Sequence, residues 1–275
     1  EHGRLLLVRE SLQERGWWLK AAPHLTQIVK LILPIYSGFS RPRWKIKLGM
    51  MLYDRLAGGL GVGNHCWLRP SDINQLIPSL KASGLQGGYL FFDGQMDDYA
   101  LGSWAVEQAQ SVGVKVYENT RVDRVIANGG VEVRGVIKTY DQIVNVCGPW
   151  AIKLLEQSGI PHGCNLDLVR GSHLILDKTI NCGVMLQDQE TERLFFVLPY
   201  KGKTLLGTTE VNQRLGEPIK CSTSETNYLI NGYNAYFEDT VTENNVIDSF
   251  SGVRPLVRSN NDPNKASREY KIEKY

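Results

Sequence analysis

The chain is 275 residues long, 42% hydrophobic and 22% charged, which suffices for the core of one large domain or two ordinary ones. A formal net charge of +2 excludes the strongly basic surface of a general nucleic-acid binder, so any anion site is local. No apolar run reaches the roughly 18 residues that span a bilayer, and the five cysteines, Cys66, Cys147, Cys164, Cys182 and Cys221, include no C-x-x-C pair and no Cys/His cluster of zinc-ligand spacing, so they read as reduced thiols of a cytoplasmic protein and no metal site is expected.

The first twenty residues predict a helix with Leu5, Val8, Leu12 and Leu19 near one face and Arg4, Arg9, Glu10 and Arg15 largely elsewhere. Pro23 and Pro34 bracket the short apolar segment "HLTQIVKLILP". In "RPRWKIKLGMMLYDRLAGG" a helix begins near Pro42 and stops at Gly58-Gly59. A further helix, with acidic residues at its start, covers "QMDDYALGSWAVEQAQSVG" to Gly113. Several short strands then run to "QIVNVCGPW", with Asn128-Gly129-Gly130 as the clearest turn. From about residue 165 strands dominate, with one amphipathic helix over "SETNYLINGYNAYFED". That succession fits an antiparallel sheet with a helix on one face, preceded by part of an α/β sheet. The opening helical pattern and the alternating final stretch "REYKIEKY" have no terminators and read as an internal piece of a longer chain.

Five groups of residues bear on chemistry. The run "GGLGVGN" places Asn64 where G-x-G-x-x-G requires glycine and follows a helix, so it reads as a helix end rather than a phosphate cradle. In "VNVCGPW" an apolar strand ends at Gly148-Pro149 and a helix starts at Trp150; this is either a tight strand-to-helix turn or a ligand contact at a strand end. His173, in "VRGSHLIL", is either a satisfied core histidine or a base facing a pocket. Arg254 in "SFSGVRPL" and Arg268 in "SREYKIE" either pair with carboxylates such as Asp248 and Glu269 or converge on a phosphate or carboxylate. Arg41, Arg43, Lys45 and Lys47 surround Trp44 and Ile46, as in a solvated helix start or a segment resting on anionic lipid.

The motifs "APHL", "RPRWKIKLGMMLYDRLAG", "NVCGPW", "VRGSHLIL", "LLGTTEV", "FSGVRPL" and "SREYKIE" stand in the order and approximate spacing of FAD-dependent glycerol-3-phosphate dehydrogenases and the related glycerophosphate oxidases, and the chain resembles that family over nearly its whole length. The resemblance implies oxidation of sn-glycerol 3-phosphate to dihydroxyacetone phosphate, with hydride passing to FAD and electrons to the quinone pool. It implies catalytic roles for His173 and Arg254, substrate contacts for Arg254 and Arg268, and FAD contacts for Arg121, Val122, Gly148, Pro149 and Trp150. The family's G-x-G-x-x-G turn would precede residue 1, so this piece alone is expected to hold FAD poorly.

The expected fold class is α+β / α/β, with a remnant of an FAD-binding α/β domain at 87–164. A discontinuous substrate domain, with a mainly antiparallel sheet and flanking helices, takes 1–86 and 165–275. The expected location is the cytoplasm, with peripheral contact to the inner face of the membrane through Arg41, Arg43, Lys45 and Lys47. The alternatives are an oxygen-using glycerophosphate oxidase and a non-catalytic anion-binding scaffold module.

Overall fold

The computed structural model describes residues 2–38, 42–126, 129–258 and 271–274. In chain order the elements are α1 (His2–Ala21), β1 (Thr26–Tyr36), α2 (Arg43–Ala57), β2 (Cys66–Leu68), α3 (Pro70–Leu76), β3 (Leu85–Met96), α4 (Asp98–Ser111), β4 (Arg124–Ile126), β5 (Gly130–Val133), β6 (Val136–Thr139), α5 (Ala151–Gln157), β7 (Leu166–Leu176), β8 (Gly183–Gln187), β9 (Leu194–Tyr200), β10 (Lys203–Gly207), β11 (Val211–Asn212), α6 (Thr223–Tyr236) and β12 (Val246–Val257). They form two compact units. The first takes residues 1–108, 172–209 and 221–250, and the second takes 109–171, 210–220 and 251–275. Among the described residues no helix is long and apolar enough to cross a membrane.

The first unit is built on a sheet ordered β7-β10-β9-β8-β1-β3-β2. Its described pairs are antiparallel except β1 with β8, in agreement with the mainly antiparallel expectation. β1 alternates between two cores. Ile32 joins Leu174, Leu176, Val184, Phe195 and Leu206 under α3 and α6. Leu31 and Leu33 join Phe91 and Ile46 of α2 on the opposite face. A strand covered on both faces needs a continuous apolar run, which is why "LILPI" shows no alternation. Pro34 therefore does not close the segment, as its position suggests, but sits inside β1 opposite Gly88.

β3 was not legible as a strand because Gly87, Gly88 and Gly94 interrupt it. Each fills a close approach. A Cβ would stand 2.3 Å from the Trp67 ring at residue 87, 2.7 Å from the Leu33 carbonyl oxygen at 88 and 2.9 Å from Arg15 Cγ at 94. β3 is laddered to β1 from Thr26↔Met96 to Tyr36↔Leu85, and the first compact unit extends to residue 108.

α1 also packs differently from its apolar spacing. Leu5 and Val8 are exposed, and the buried line runs through Leu12, Arg15 and Gly16. Arg15, 7% exposed, is held by donating from Nη1 to the Tyr53 hydroxyl at 2.8 Å, the Asp93 carboxylate at 3.3 Å and the Phe92 carbonyl at 3.4 Å. A buried guanidinium requires such partners, and the apolar pattern of the helix alone does not reveal them.

The second unit contains the meander β4-β5-β6, whose turn places Gly129 at φ +86, while Asn128 lies outside the described residues. It also contains α5 and the pairing of β11 with the first half of β7, Val211↔Arg170. The expected apolar strand before Gly148 is not formed. Residues 142–147 join no described ladder, and Val144 and Val146 are 77% and 83% exposed. Instead the Asn145 side chain organises the segment, accepting from the Cys147 backbone N–H at 3.2 Å and donating to the Ala151 carbonyl at 2.9 Å.

Candidate active site

On β7 the alternation of "SHLIL" sends Leu174 and Leu176 into the core and leaves His173 and Ile175 half-buried on the other face. His173 pairs in register with Gly207 of β10. Its imidazole lies directly over that glycine: a Cβ there would stand 2.3 Å from Cδ2 and 3.0 Å from Nε2. The Phe250 ring of β12 stacks on the imidazole, with centroids 5.0 Å apart and planes 14° from parallel. The ring is thus seated between a glycine notch and an aromatic plate, in the first unit. Neither partner was found from sequence. The only local signal is a glycine closing the strand "TLLG", which marks a close backbone approach.

Arg254 is half-buried on β12 and belongs to the second unit. Asp248, the carboxylate named beside it in the sequence, belongs to the first unit. Asp248 accepts from the neighbouring Ser249 N–H at 2.7 Å. Two other arginines of the second unit are committed locally: Arg258 Nε donates to Asp167 at 2.8 Å and Arg170 to the Gln213 side chain at 2.7 Å. Arg268 and Glu269 lie outside the described residues.

The residues expected at the cofactor are also in the second unit. Arg121 is exposed and Val122 half-buried just before β4. Gly148, Pro149 and Trp150 form one 3-10 turn leading into α5, with an exposed indole. Gly148 adopts φ +53, and nothing lies within 4 Å of where its Cβ would be. An open left-handed glycine beside an exposed ring suits a flat ligand that approaches the backbone. The chain carries no G-x-G-x-x-G for a diphosphate. In the run Gly59-Leu60-Gly61-Val62-Gly63, Gly63 is packed, since a Cβ on it would meet the Phe92 ring at 2.5 Å, while nothing lies within 4 Å of where a Cβ on Gly59 would be. These residues fit FAD in part, at the turn but not at a phosphate cradle.

A cavity of about 660 Å³ lies within the first unit between α2 and the sheet, with Leu31, Leu33, Phe91 and Phe196 among its walls and Lys45, Tyr53, Asp93, Gln187 and Glu192 as polar groups. Burial, reinforced by Asp93, raises the Tyr53 phenol above its ordinary pKa, so it remains protonated. On the outer side of α2, Trp44, Leu48, Met51 and Leu52 are exposed at helical spacing. Of the basic residues there, Arg43 is spent on the Trp67 ring, 3.5 Å from its centroid, and Arg41 lies outside the described residues.

A family model of FAD dependent oxidoreductases matches residues 1–266. The chain is 29% identical to the aerobic glycerol-3-phosphate dehydrogenase of Escherichia coli (strain K12), over 99% of this chain and 56% of that protein. It is 32% identical to the D-erythritol 1-phosphate dehydrogenase of Brucella abortus (strain 2308), over 98% of this chain and 56% of that protein. It therefore spans about half the length of these curated relatives. The X-ray structure of the glycerol-3-phosphate dehydrogenase from Bacillus halodurans complexed with FAD shares its fold, with a TM-score of 0.74 at 23% identity over 89% of this chain and 47% of that one. By the match across nearly all of its residues, the chain belongs to the FAD dependent oxidoreductase family.

Proposed function

We propose that this chain is the substrate-facing part of a flavoenzyme that oxidises a secondary hydroxyl of a polyol phosphate, sn-glycerol 3-phosphate foremost, giving dihydroxyacetone phosphate. The observation that carries the reading is the seat of His173, an imidazole fixed between Gly207 and Phe250 on the sheet face away from the α6 core. His173 takes the hydroxyl proton, which an imidazole does well near neutral pH. Arg254 and Arg268 bind the phosphate, for which guanidinium forks are suited. FAD, when bound, supplies the acceptor for the hydride leaving the carbinol carbon. In this reading Gly148, Pro149 and Trp150, with Arg121 and Val122, contribute the contacts this chain makes to FAD. Two relatives named for phosphorylated polyols support the substrate class.

The test is turnover of the flavin-loaded enzyme with an artificial electron acceptor. Glycerol 3-phosphate is expected to react and unphosphorylated glycerol not to, with His173→Ala lowering kcat by roughly 100-fold or more. Turnover of D-erythritol 1-phosphate alone would move the substrate within the class. A flavin-loaded protein inert to every polyol phosphate would favour an anion-binding scaffold.

For the electron acceptor we propose a membrane quinone, with the enzyme held peripherally at the inner face of the membrane. Support comes from the exposed apolar stripe of α2 and the apolar cavity on its inner side. Reduction of a soluble quinone without peroxide release is expected, and stoichiometric peroxide would instead indicate an oxidase.

A further inference from the structure

We propose that Glu225 is a positioning residue for His173, acting through Ser172 and Thr209; the proposal rests on the reading of His173 given above. Glu225 is the third residue of α6 and is only 3% exposed. One carboxylate oxygen, Oε2, completes a capping box, accepting from the Ser222 backbone N–H at 3.0 Å and from its hydroxyl at 2.7 Å. Capping needs no more than that. The other oxygen, Oε1, leaves the helix and accepts from the hydroxyls of Ser172 and Thr209, each at 2.7 Å. A buried carboxylate is costly unless its lone pairs are satisfied, and here they are satisfied by the residue before His173 and by the residue two beyond its partner Gly207.

The clamp fixes Ser172 at three points. Its N–H donates to Thr209 Oγ1 at 2.9 Å, its hydroxyl to Glu225, and its carbonyl accepts from the Thr209 N–H at 3.3 Å. Ser172 and His173 point to opposite sides of β7, so the carboxylate works from the core side on the strand whose other side carries the imidazole. A one-residue slip of β7 against β10 would turn His173 into the core, and even a small shift would lift the ring out of the Gly207 notch. Every group involved lies in the first unit.

The test is a double-mutant cycle in the flavin-loaded enzyme. Ser172→Ala, Thr209→Val and Glu225→Gln are each made in the natural background and beside His173→Ala. With His173 present, each is expected to lower kcat by about tenfold, with KM changing far less, because misplacing a reacting group is costly. With His173 removed, the same changes should have little further effect on kcat, since both act through one group. Ser172→Ala keeps the test open if Glu225→Gln fails to fold. Equal losses in both backgrounds, or a lowered Tm with unchanged kcat, would reduce Glu225 to a helix cap and overturn the proposal. Normal kcat in His173→Ala alone would overturn the reading of His173 and this proposal with it, so the two failures are told apart.

Discussion

The imidazole of His173 rests on Gly207: in the space a side chain at 207 would need, His173 Cγ already stands 2.8 Å from the ideal Cβ position. No heavy-atom contact that short is tolerated, and the obstacle is a stacked ring rather than a flexible chain end, because Phe250 closes the other side. Gly207→Ala should therefore displace the ring. We expect kcat to fall roughly 10- to 100-fold, at a cost of about 1–3 kcal/mol in stability from overpacking. Steady-state kinetics and thermal unfolding of the same preparation check this, and kinetics like those of the unaltered protein would show that the notch does not matter.

Arg254 is the second test. It is half-buried on β12, in the second unit. If it binds the substrate phosphate, Arg254→Lys retains charge but loses the planar fork of donors, and kcat/KM should drop by about 10- to 100-fold with folding intact. The loss should be smaller for an unphosphorylated polyol than for its phosphate. An equal loss for both would separate Arg254 from the phosphate.

The sequence disclosed what is local. α2, α4 and α6 follow from apolar spacing and end signals. His173 and Arg254 stand out as polar residues in apolar strands. The partners that give them meaning are remote in sequence: Gly207 is 34 residues from His173, and Phe250 is 77 away. Arg15 was hidden for the same reason, since its position on α1 suggests solvent while Tyr53 and Asp93 bury it. β3 was masked by glycines whose purpose is visible once Trp67, Leu33 and Arg15 lie against them.

Cofactor retention tests the second unit. The turn at Gly148 leaves backbone open to a flat ligand, but the chain carries no G-x-G-x-x-G for the diphosphate, the run at 59–63 ending in Asn64. The 275-residue chain expressed alone is expected to purify with far less than one flavin per chain and to show no turnover. A yellow preparation with stoichiometric flavin absorbance would overturn this.

The outward face of α2 yields a prediction on membrane binding. Trp44, Leu48, Met51 and Leu52 are exposed on one helix with Lys45 and Lys47 beside them, and each such lysine near an anionic surface adds about 1 kcal/mol. Vesicles containing anionic lipid should bind the protein in a salt-sensitive manner. Replacing Trp44 and Leu48 by Ser should weaken binding several-fold, whereas unchanged sedimentation with vesicles would remove α2 as the contact.

Cys182 offers a pH-dependent check on the first unit. It is buried immediately before β8, its thiol donating to the Lys30 carbonyl at 3.4 Å, and burial pushes its pKa up to about 11 although Lys30 opposes the shift. Because the folded pKa exceeds that of the unfolded thiol, near 8.5–9, the stability linked to this group is complete below the unfolded pKa. It falls as pH rises through the folded one, since the unfolded chain loses the proton first. Exposed Cys66 and Cys147 should alkylate readily at pH 8, while Cys182 should resist until the pH approaches 11 or the protein unfolds. Cys182→Ala should remove part of the alkaline loss of stability between about pH 9 and 11. Alkylation of Cys182 at pH 8 as fast as that of Cys66 would show that β8 does not shield it from solvent.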